Sequence, residues 1–290
     1  MTTLSCIGAG RLGKTICRLL SDKVEIHQVV NRSLASAQRA VDFIGSGSAA
    51  SMADLQPADI WLIAAPDSQI EVAYEQLKSA DVLQNKAIVF HCSGSVGASV
   101  LYSDSPNISE ANVASVHPIH SFADPQKSLT DFPGSHCAIE GQPDAVATLQ
   151  ALFEDIGALP FIIDSQQKAL YHAATVMACN YLVSLLETSQ QILLNAGVDG
   201  CDGNPLESLI RQTLDNYLNT DAASALTGPI ARGDTKTVAS HLDALMQRSD
   251  DPVWQQVYTA LGKATLPIAA QQGQASISDL QQIEKLLDQN

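Results

Sequence analysis

The stretch T-L-S-C-I-G-A-G-R-L-G, Thr3 to Gly13, constrains this chain more than any other. An apolar run ends in G-x-G-x-x-G, with Gly8, Gly10 and Gly13 at the three fixed positions. Leu12, Ile16, Leu19 and Leu20 then recur at helical spacing. The pattern predicts a strand, a tight turn and the start of a helix. Gly8 suits the turn, Gly10 lets the backbone approach a pyrophosphate, and Gly13 lets helix and strand pack closely. A helix N-terminus placed there offers free N–H groups and a positive dipole end to phosphates. Gly8, Ala9, Gly10, Arg11, Leu12 and Gly13 are therefore the first candidate cofactor residues.

The next segment bears on which dinucleotide is bound. Val24 to Val30 reads as a second strand and ends in Asn31-Arg32-Ser33. An acid at this point would bond the ribose 2′-OH of NAD and repel a 2′-phosphate. None is present, and Asn31, Arg32 and Ser33 offer donors and a positive charge, which favours NADP. Ser33 also suits the N-cap of a helix over Leu34 to Phe43.

A βαβ rhythm continues from there. Ile60 to Ala65 is a continuous apolar run, as a parallel strand buried on both faces requires. It stops at Pro66-Asp67, and loops at the carboxyl ends of such strands face the ligand crevice. Ala65, Pro66 and Asp67 therefore join the cofactor candidates. Ala87 to Phe90 leads to His91-Cys92-Ser93-Gly94, where His91, Ser93 and Gly94 are expected to line the nicotinamide pocket. Further strands are expected at Val113–Val116, Ser135–Ile139 and Pro160–Ile163, with a helix from about Pro143 to Ile156. This alternation implies a Rossmann-type, doubly wound parallel sheet over residues 1–164.

After Ser165 the pattern is helical only, so residues 165–290 are expected to form an all-α domain for substrate and dimer contacts. Gln166 to Ala196 reads as one helix of about 30 residues, on the order of 45 Å long. Within it, Ala169 to Leu186 carries no charged residue. Such a run can be misread as membrane-spanning. His172, Thr175, Asn180 and Ser184 interrupt it, so a buried helix of a soluble bundle is expected. Shorter helices are expected at Glu207–Tyr217, at Thr235–Met246 with Asp234 as its cap, from Pro252, and at Ser278–Asp288.

Composition narrows the function classes. With 16 basic and 31 acidic residues the formal net charge is −15, which argues against a nucleic-acid binder. The six cysteines, Cys6, Cys17, Cys92, Cys137, Cys179 and Cys201, form no C-x-x-C motif. Reduced, packed thiols in a cytoplasmic protein are expected. The chain begins directly on a strand pattern, with no signal peptide read there.

Three constellations carry possible chemistry. His91, Cys92, His117 and His120 follow strand ends. Their spacing matches no common zinc pattern, so a metal reading is secondary to one in which His117 holds a substrate carbonyl or carboxylate. Lys168, Tyr171, His172 and Asn180 open the long helix, where a lysine beside an apolar cleft serves as acid or base. Thr227 to Asp234, T-G-P-I-A-R-G-D, reads as an ordered loop in which Arg232 offers a partner to a carboxylate.

Taken together these motifs resemble the 6-phosphogluconate dehydrogenase-like superfamily, which includes 3-hydroxyacid dehydrogenases, pyrroline-5-carboxylate reductases and prephenate dehydrogenases. The segments I-G-A-G-R-L-G, V-N-R-S, A-P-D, H-C-S-G, H-P-I-H-S-F, K-A-L-Y-H-A-A, A-C-N-Y and T-G-P-I-A-R-G-D are similar to bacterial Rossmann-like proteins with a C-terminal helical domain of unknown function. The resemblance implies NADP binding and a homodimer built from the C-terminal helices. Hydroxyacid dehydrogenases of the superfamily carry K-x-x-N-N at the long helix start. Here the lysine stands as Lys168, while Tyr171 and His172 replace both asparagines. His117-Pro118 is similar to the His-Pro of prephenate dehydrogenases. The resulting expectation is an NADP-dependent oxidoreductase acting on a small anionic metabolite, with Lys168 exchanging the proton and His117, His172 and Asn180 orienting substrate. The alternative is a non-catalytic NADP-binding sensor; neither reading involves nucleic acid or a membrane.

Overall fold

The computed structural model describes residues 1–102, 111–199, 202–248 and 252–289. Cys201 lies outside them. The chain divides into two compact units, Met1–Cys179 and Asn180–Asn290.

The first unit is built on β1 (Thr3–Ile7), β2 (Glu25–Val30), β3 (Ser48–Ala50), β4 (Ala58–Ile63), β5 (Leu83–His91), β6 (Asn112–Pro118), β7 (His136–Gly141) and β8 (Leu159–Ile162). They form one sheet in the order β3-β2-β1-β4-β5-β6-β7-β8. The order turns back at β1 and β4, and this reversal opens a crevice at the strands' carboxyl ends. β4 illustrates why the sequence takes this form. Its apolar run leaves Ile60, Trp61, Leu62 and Ile63 at 1% exposure or less, because layers cover both faces. One face packs on α1 (Arg11–Leu20), α2 (Leu34–Ile44), α4 (Pro125–Asp131) and α5 (Pro143–Asp155), the other on α3 (Ile70–Ser79).

Two features differ from the sequence expectation. β3 is a strand the pattern did not reveal, since S-A-A lacks the branched or aromatic residues that mark strands. β7 runs antiparallel to β6, with His117 opposite Ala138 and Ser115 opposite Glu140. The connection between them carries only the seven-residue helix α4, which turns the chain back without crossing the sheet. The other pairings are parallel.

Past β8, a 3₁₀ turn at Ser165–Gln167 leads into α6 (Lys168–Val176), a π-helical turn at Met177–Tyr181, and α7 (Leu182–Asn195). The expected single helix is thus interrupted, and the division between units falls inside the π turn. That division lies beyond the expected 164/165 boundary because Lys168 and Tyr171 are bonded into the sheet. The apolar helix is not buried in this chain: Leu170, Met177, Tyr181 and Val183 are 72%, 65%, 61% and 66% exposed. Ser165–Asn195 is long and apolar enough to cross a membrane by length and composition.

The second unit adds α8 (Glu207–Asn219), α9 (Ala222–Ala225), α10 (Thr235–Arg248), α11 (Val253–Gln272) and α12 (Ile277–Asp288). Val238, Leu242, Ala269, Ile283 and Leu287 make its core. Asp234 caps α10 as expected, accepting from Thr237 N–H at 3.1 Å. The loop before it is pinned by buried Ile230 and Ala231, while Arg232 is exposed.

Candidate functional site

The turn after β1 takes the expected form. Gly8 has φ +92°, and its N–H donates to Val30 O at 2.8 Å. A Cβ there would lie 2.8 Å from the Ala64 carbonyl carbon, so a side chain is excluded both by conformation and by space. A Cβ on Gly10 would come no nearer than 3.9 Å to any neighbour, which leaves that backbone open to a ligand. α1 begins directly after Gly10 with no side-chain cap. Its first N–H groups lack intrahelical partners and suit an anion.

A cavity of about 910 Å³ lies over this turn. Of the expected cofactor residues, Gly8, Ala9, Gly10, Arg11, Leu12, Asn31, Arg32, Ala65, Pro66, Asp67 and Ser93 line it. Gly13, Ser33, His91 and Gly94 do not. Gly13 instead packs α1 against β4, where a Cβ would meet the Ala64 methyl at 2.8 Å. Ser33 caps α2, accepting from Ser36 N–H at 3.3 Å. Asn31 braces the rim by donating to Ser36 O at 3.1 Å and Ala9 O at 3.4 Å. Arg32 is exposed. Ser36, Gln69 and Cys92 line the cavity too. The sequence reading missed Ser36, which lies one helical step inside α2.

His91 has a different place from the one expected. It is fully buried, its Nε2 donates to Gly97 O at 3.2 Å, and its Nδ1 accepts from Ser93 N–H at 3.2 Å. Since a carbonyl only accepts and an amide only donates, the ring is the neutral Nε2–H form. Burial first, then the nearby Lys168 charge, push its pKa down to about 4. His91 therefore staples the Ser93–Gly97 loop from behind and does not face the cavity.

Lys168 was expected to exchange a proton with substrate, but its ammonium is enclosed. The side chain is 2% exposed, and Nζ bonds the Ser115 hydroxyl and Glu140 Oε1, the latter at 3.0 Å. The same Glu140 oxygen accepts from Ala98 N–H at 2.8 Å. Burial lowers the lysine pKa from its ordinary value, against the opposing pull of Glu140. One ion pair thus ties β6, β7, α6 and the loop after β5. The sequence reading passed over Ser115 and Glu140. The available signal was a carboxylate inside the apolar strand C-A-I-E, which requires a buried partner.

His117 and His172 do come together, with Tyr171 beside them. His117 Nδ1 lies 2.6 Å from Tyr171 Oη. The His117 and His172 rings meet edge-to-face with centroids 5.3 Å apart. Both press on the bare Cα of Gly94: a Cβ there would lie 2.2 Å from His172 Nδ1 and 2.8 Å from His117 Nε2. Gly94 follows Cys92 and Ser93, which line the cavity, so the imidazole pair borders the loop at the end of the crevice. Burial first, then His172 and Lys168, push the His117 pKa down to about 4. His120 packs against Phe122 and Phe132 and bonds Ser135 at 3.0 Å, apart from this cluster. Among the described residues no group of three His, Cys, Asp or Glu is placed to hold a metal. Asn180 and Arg232 belong to the second unit.

This fold and crevice define a Rossmann-like class of α/β protein, and comparison with known proteins agrees. Residues 2–114 match the Rossmann-like domain, and residues 135–265 match a domain of unknown function, DUF2520. No curated protein matches the sequence. Among solved structures, it is similar to a Bacteroides fragilis protein provisionally named an NADP oxidoreductase, with 22% identity, 91% of this chain and 97% of that one covered, and TM-score 0.74. A Thermotoga maritima protein is similar at 25% identity, covering 92% and 98%, with TM-score 0.71. A reductive aminase from Aspergillus terreus, in complex with NADPH and ethyl-5-oxohexanoate, has 13% identity, 100% and 93% coverage, and TM-score 0.56.

Proposed function

We propose that this chain is an NADP(H)-dependent oxidoreductase acting on a small metabolite. One observation carries the reading: a crevice with an uncapped helix N-terminus and Arg32 at its rim runs toward a loop bordered by two imidazoles. The residues present fit NADP. Arg11 and the α1 N-terminus would hold the pyrophosphate, while Arg32 and Ser36 would hold the 2′-phosphate. When bound, the nicotinamide supplies or accepts the hydride. His117 and His172 would orient the substrate oxygen, and Lys168 would hold β6 and α6 in place beneath them. Among the described residues, the lysine charge near His117 is already answered by Glu140, which leaves the anionic group expected of the substrate without that partner.

The cofactor part is tested by calorimetry. NADPH is expected to bind at least ~10-fold more tightly than NADH, and Arg32→Ala to remove most of that preference, a loss of about 1.4 kcal/mol or more. Equal binding of the two cofactors to the unaltered protein would refute the Arg32 assignment.

The exposed apolar side chains of α6, the π turn and α7 support a homodimer through the C-terminal helices. Light scattering is expected to give twice the chain mass, and a monomer at micromolar concentration would reject this part. A cytoplasmic setting fits the free thiols of Cys6, Cys17, Cys92, Cys137 and Cys179.

A further inference from the structure

His117 lies in β6, next to its last residue, and its two nitrogens face different neighbours. Nδ1 meets the Tyr171 phenol at 2.6 Å. Nε2 faces Gly94, where a Cβ would lie 2.8 Å from it, so only a glycine lets the ring sit against this loop. Among the described residues the phenol has no other hydrogen-bond partner, and its ring is held edge-on by Phe161 at 6.2 Å. A phenol is a good donor and an unprotonated imidazole nitrogen a good acceptor, so the O–H points at Nδ1 and the ring proton stays on Nε2. Burial works in the same direction. It raises the Tyr171 pKa to about 12, so the phenol keeps its proton, and it lowers that of His117 to about 4, so the ring stays neutral. The charged and titratable groups felt by His117 are His172, Lys168 and Asp67. Lys168 is paired with Glu140, and Asp67 accepts from the Ser95 hydroxyl at 2.8 Å.

We propose that Tyr171 is a positioning residue that locks His117 as the neutral Nε2–H tautomer, so that the site presents an uncharged N–H to an uncharged acceptor, a carbonyl oxygen, at the reacting end of the substrate. This rests on the oxidoreductase reading and deepens it. When bound, NADPH would supply the hydride for the carbonyl carbon, and the carbonyl oxygen would take its proton from a water molecule, which leaves as hydroxide. His117 Nε2–H stabilises the charge that develops on that oxygen and keeps its own proton. Any carboxylate on the substrate is held away from the imidazoles.

Long-range ¹H–¹⁵N correlation spectra read the tautomer directly, with the His117 signals assigned by their absence in His117→Gln. The expected result is a single neutral form protonated on Nε2 between about pH 6 and 8. In Tyr171→Phe, which keeps the ring against Phe161, the Nδ1–H form should appear while the melting temperature and NADPH affinity stay near those of the unaltered protein. Protonation on Nδ1 in the unaltered protein overturns the proposal, whether or not the variant folds. So does an unchanged tautomer in Tyr171→Phe. Acetone and acetate, added at equal concentration to the NADP⁺-loaded protein, separate the substrate classes. A shift of the Nε2 signal by acetone and not by acetate supports the uncharged acceptor; a shift by acetate alone, by both equally, or by neither overturns it. Failure of NADPH to bind in calorimetry sinks the oxidoreductase reading by itself and leaves the tautomer result standing.

Discussion

Replacing Lys168 by methionine isolates what the buried ion pair contributes. Methionine keeps the unbranched shape and the helix propensity, so the change removes the charge with little loss of packing. It leaves the Glu140 carboxylate, 7% exposed, with the Ala98 N–H at 2.8 Å as its remaining donor among the described residues. Breaking a buried pair from one side costs about 3–5 kcal/mol, because the abandoned charge has neither water nor a counter-ion. For a unit of this size each kcal/mol lowers Tm by about 2–4 °C, so Lys168→Met should melt about 6–20 °C below the unaltered protein. Glu140→Gln in the same background removes the orphaned charge and keeps an oxygen for Ala98. It should recover more than half of the loss, with a coupling energy of about 2 kcal/mol or more in the double-mutant cycle. Thermal and urea melts followed by circular dichroism give the four corners. A single variant within about 1 kcal/mol of the unaltered protein, or a double variant no better than the single, would refute the pairing argument.

Gly94→Ala would set a methyl 2.2 Å from His172 Nδ1 and 2.8 Å from His117 Nε2, so at least one ring must move by about 1 Å. Displacement on that scale predicts about a 100-fold fall in kcat/KM for any ketone turned over, with NADPH affinity nearly unchanged; rates within a few-fold of the unaltered enzyme would contradict it. His91 gives a pH dependence. Its folded pKa, about 4, lies below the unfolded value, so its stability contribution is fully present above about pH 6.5 and is lost as pH falls toward 4. At pH 5 the loss relative to neutral pH is about 2 kcal/mol, and His91→Gln should flatten that part of the urea-midpoint profile. Parallel profiles for the two proteins would show that the ring is not held neutral.

Much of the first unit was legible because its signals are local. The glycines at 8, 10 and 13 and the apolar runs of β1 and β4 each specify backbone or burial within a few residues. Asn31 and Arg32 lie at the cavity rim because they follow β2 directly. What escaped was set by partners distant in the chain. Lys168 reads as a cleft lysine until Ser115 and Glu140 are known to surround it. His91 and His117 look equivalent as strand-end histidines, yet Gly97 turns one inward and Tyr171 holds the other. The antiparallel β7 was hidden because strand direction depends on the connection and leaves no mark in the apolar pattern. The apolar helix beyond Ala169 reads as buried because hydrophobicity alone does not reveal whether another element covers it.

The Glu140 ion pair also bears on how the first unit is assembled. Ser115, Glu140 and the Ala98 backbone are synthesised before the lysine that completes their bonding, and Glu140 precedes Lys168 by 28 positions. Until α6 arrives, β7 carries a carboxylate that cannot be sealed into the sheet without its counter-ion. A nascent chain, or a fragment ending at residue 164, would hold that edge of the sheet open to water or keep Glu140 protonated. The last step in closing the sheet is thus assigned to a residue that follows every one of its strands, so the sheet is not complete when its own strands are.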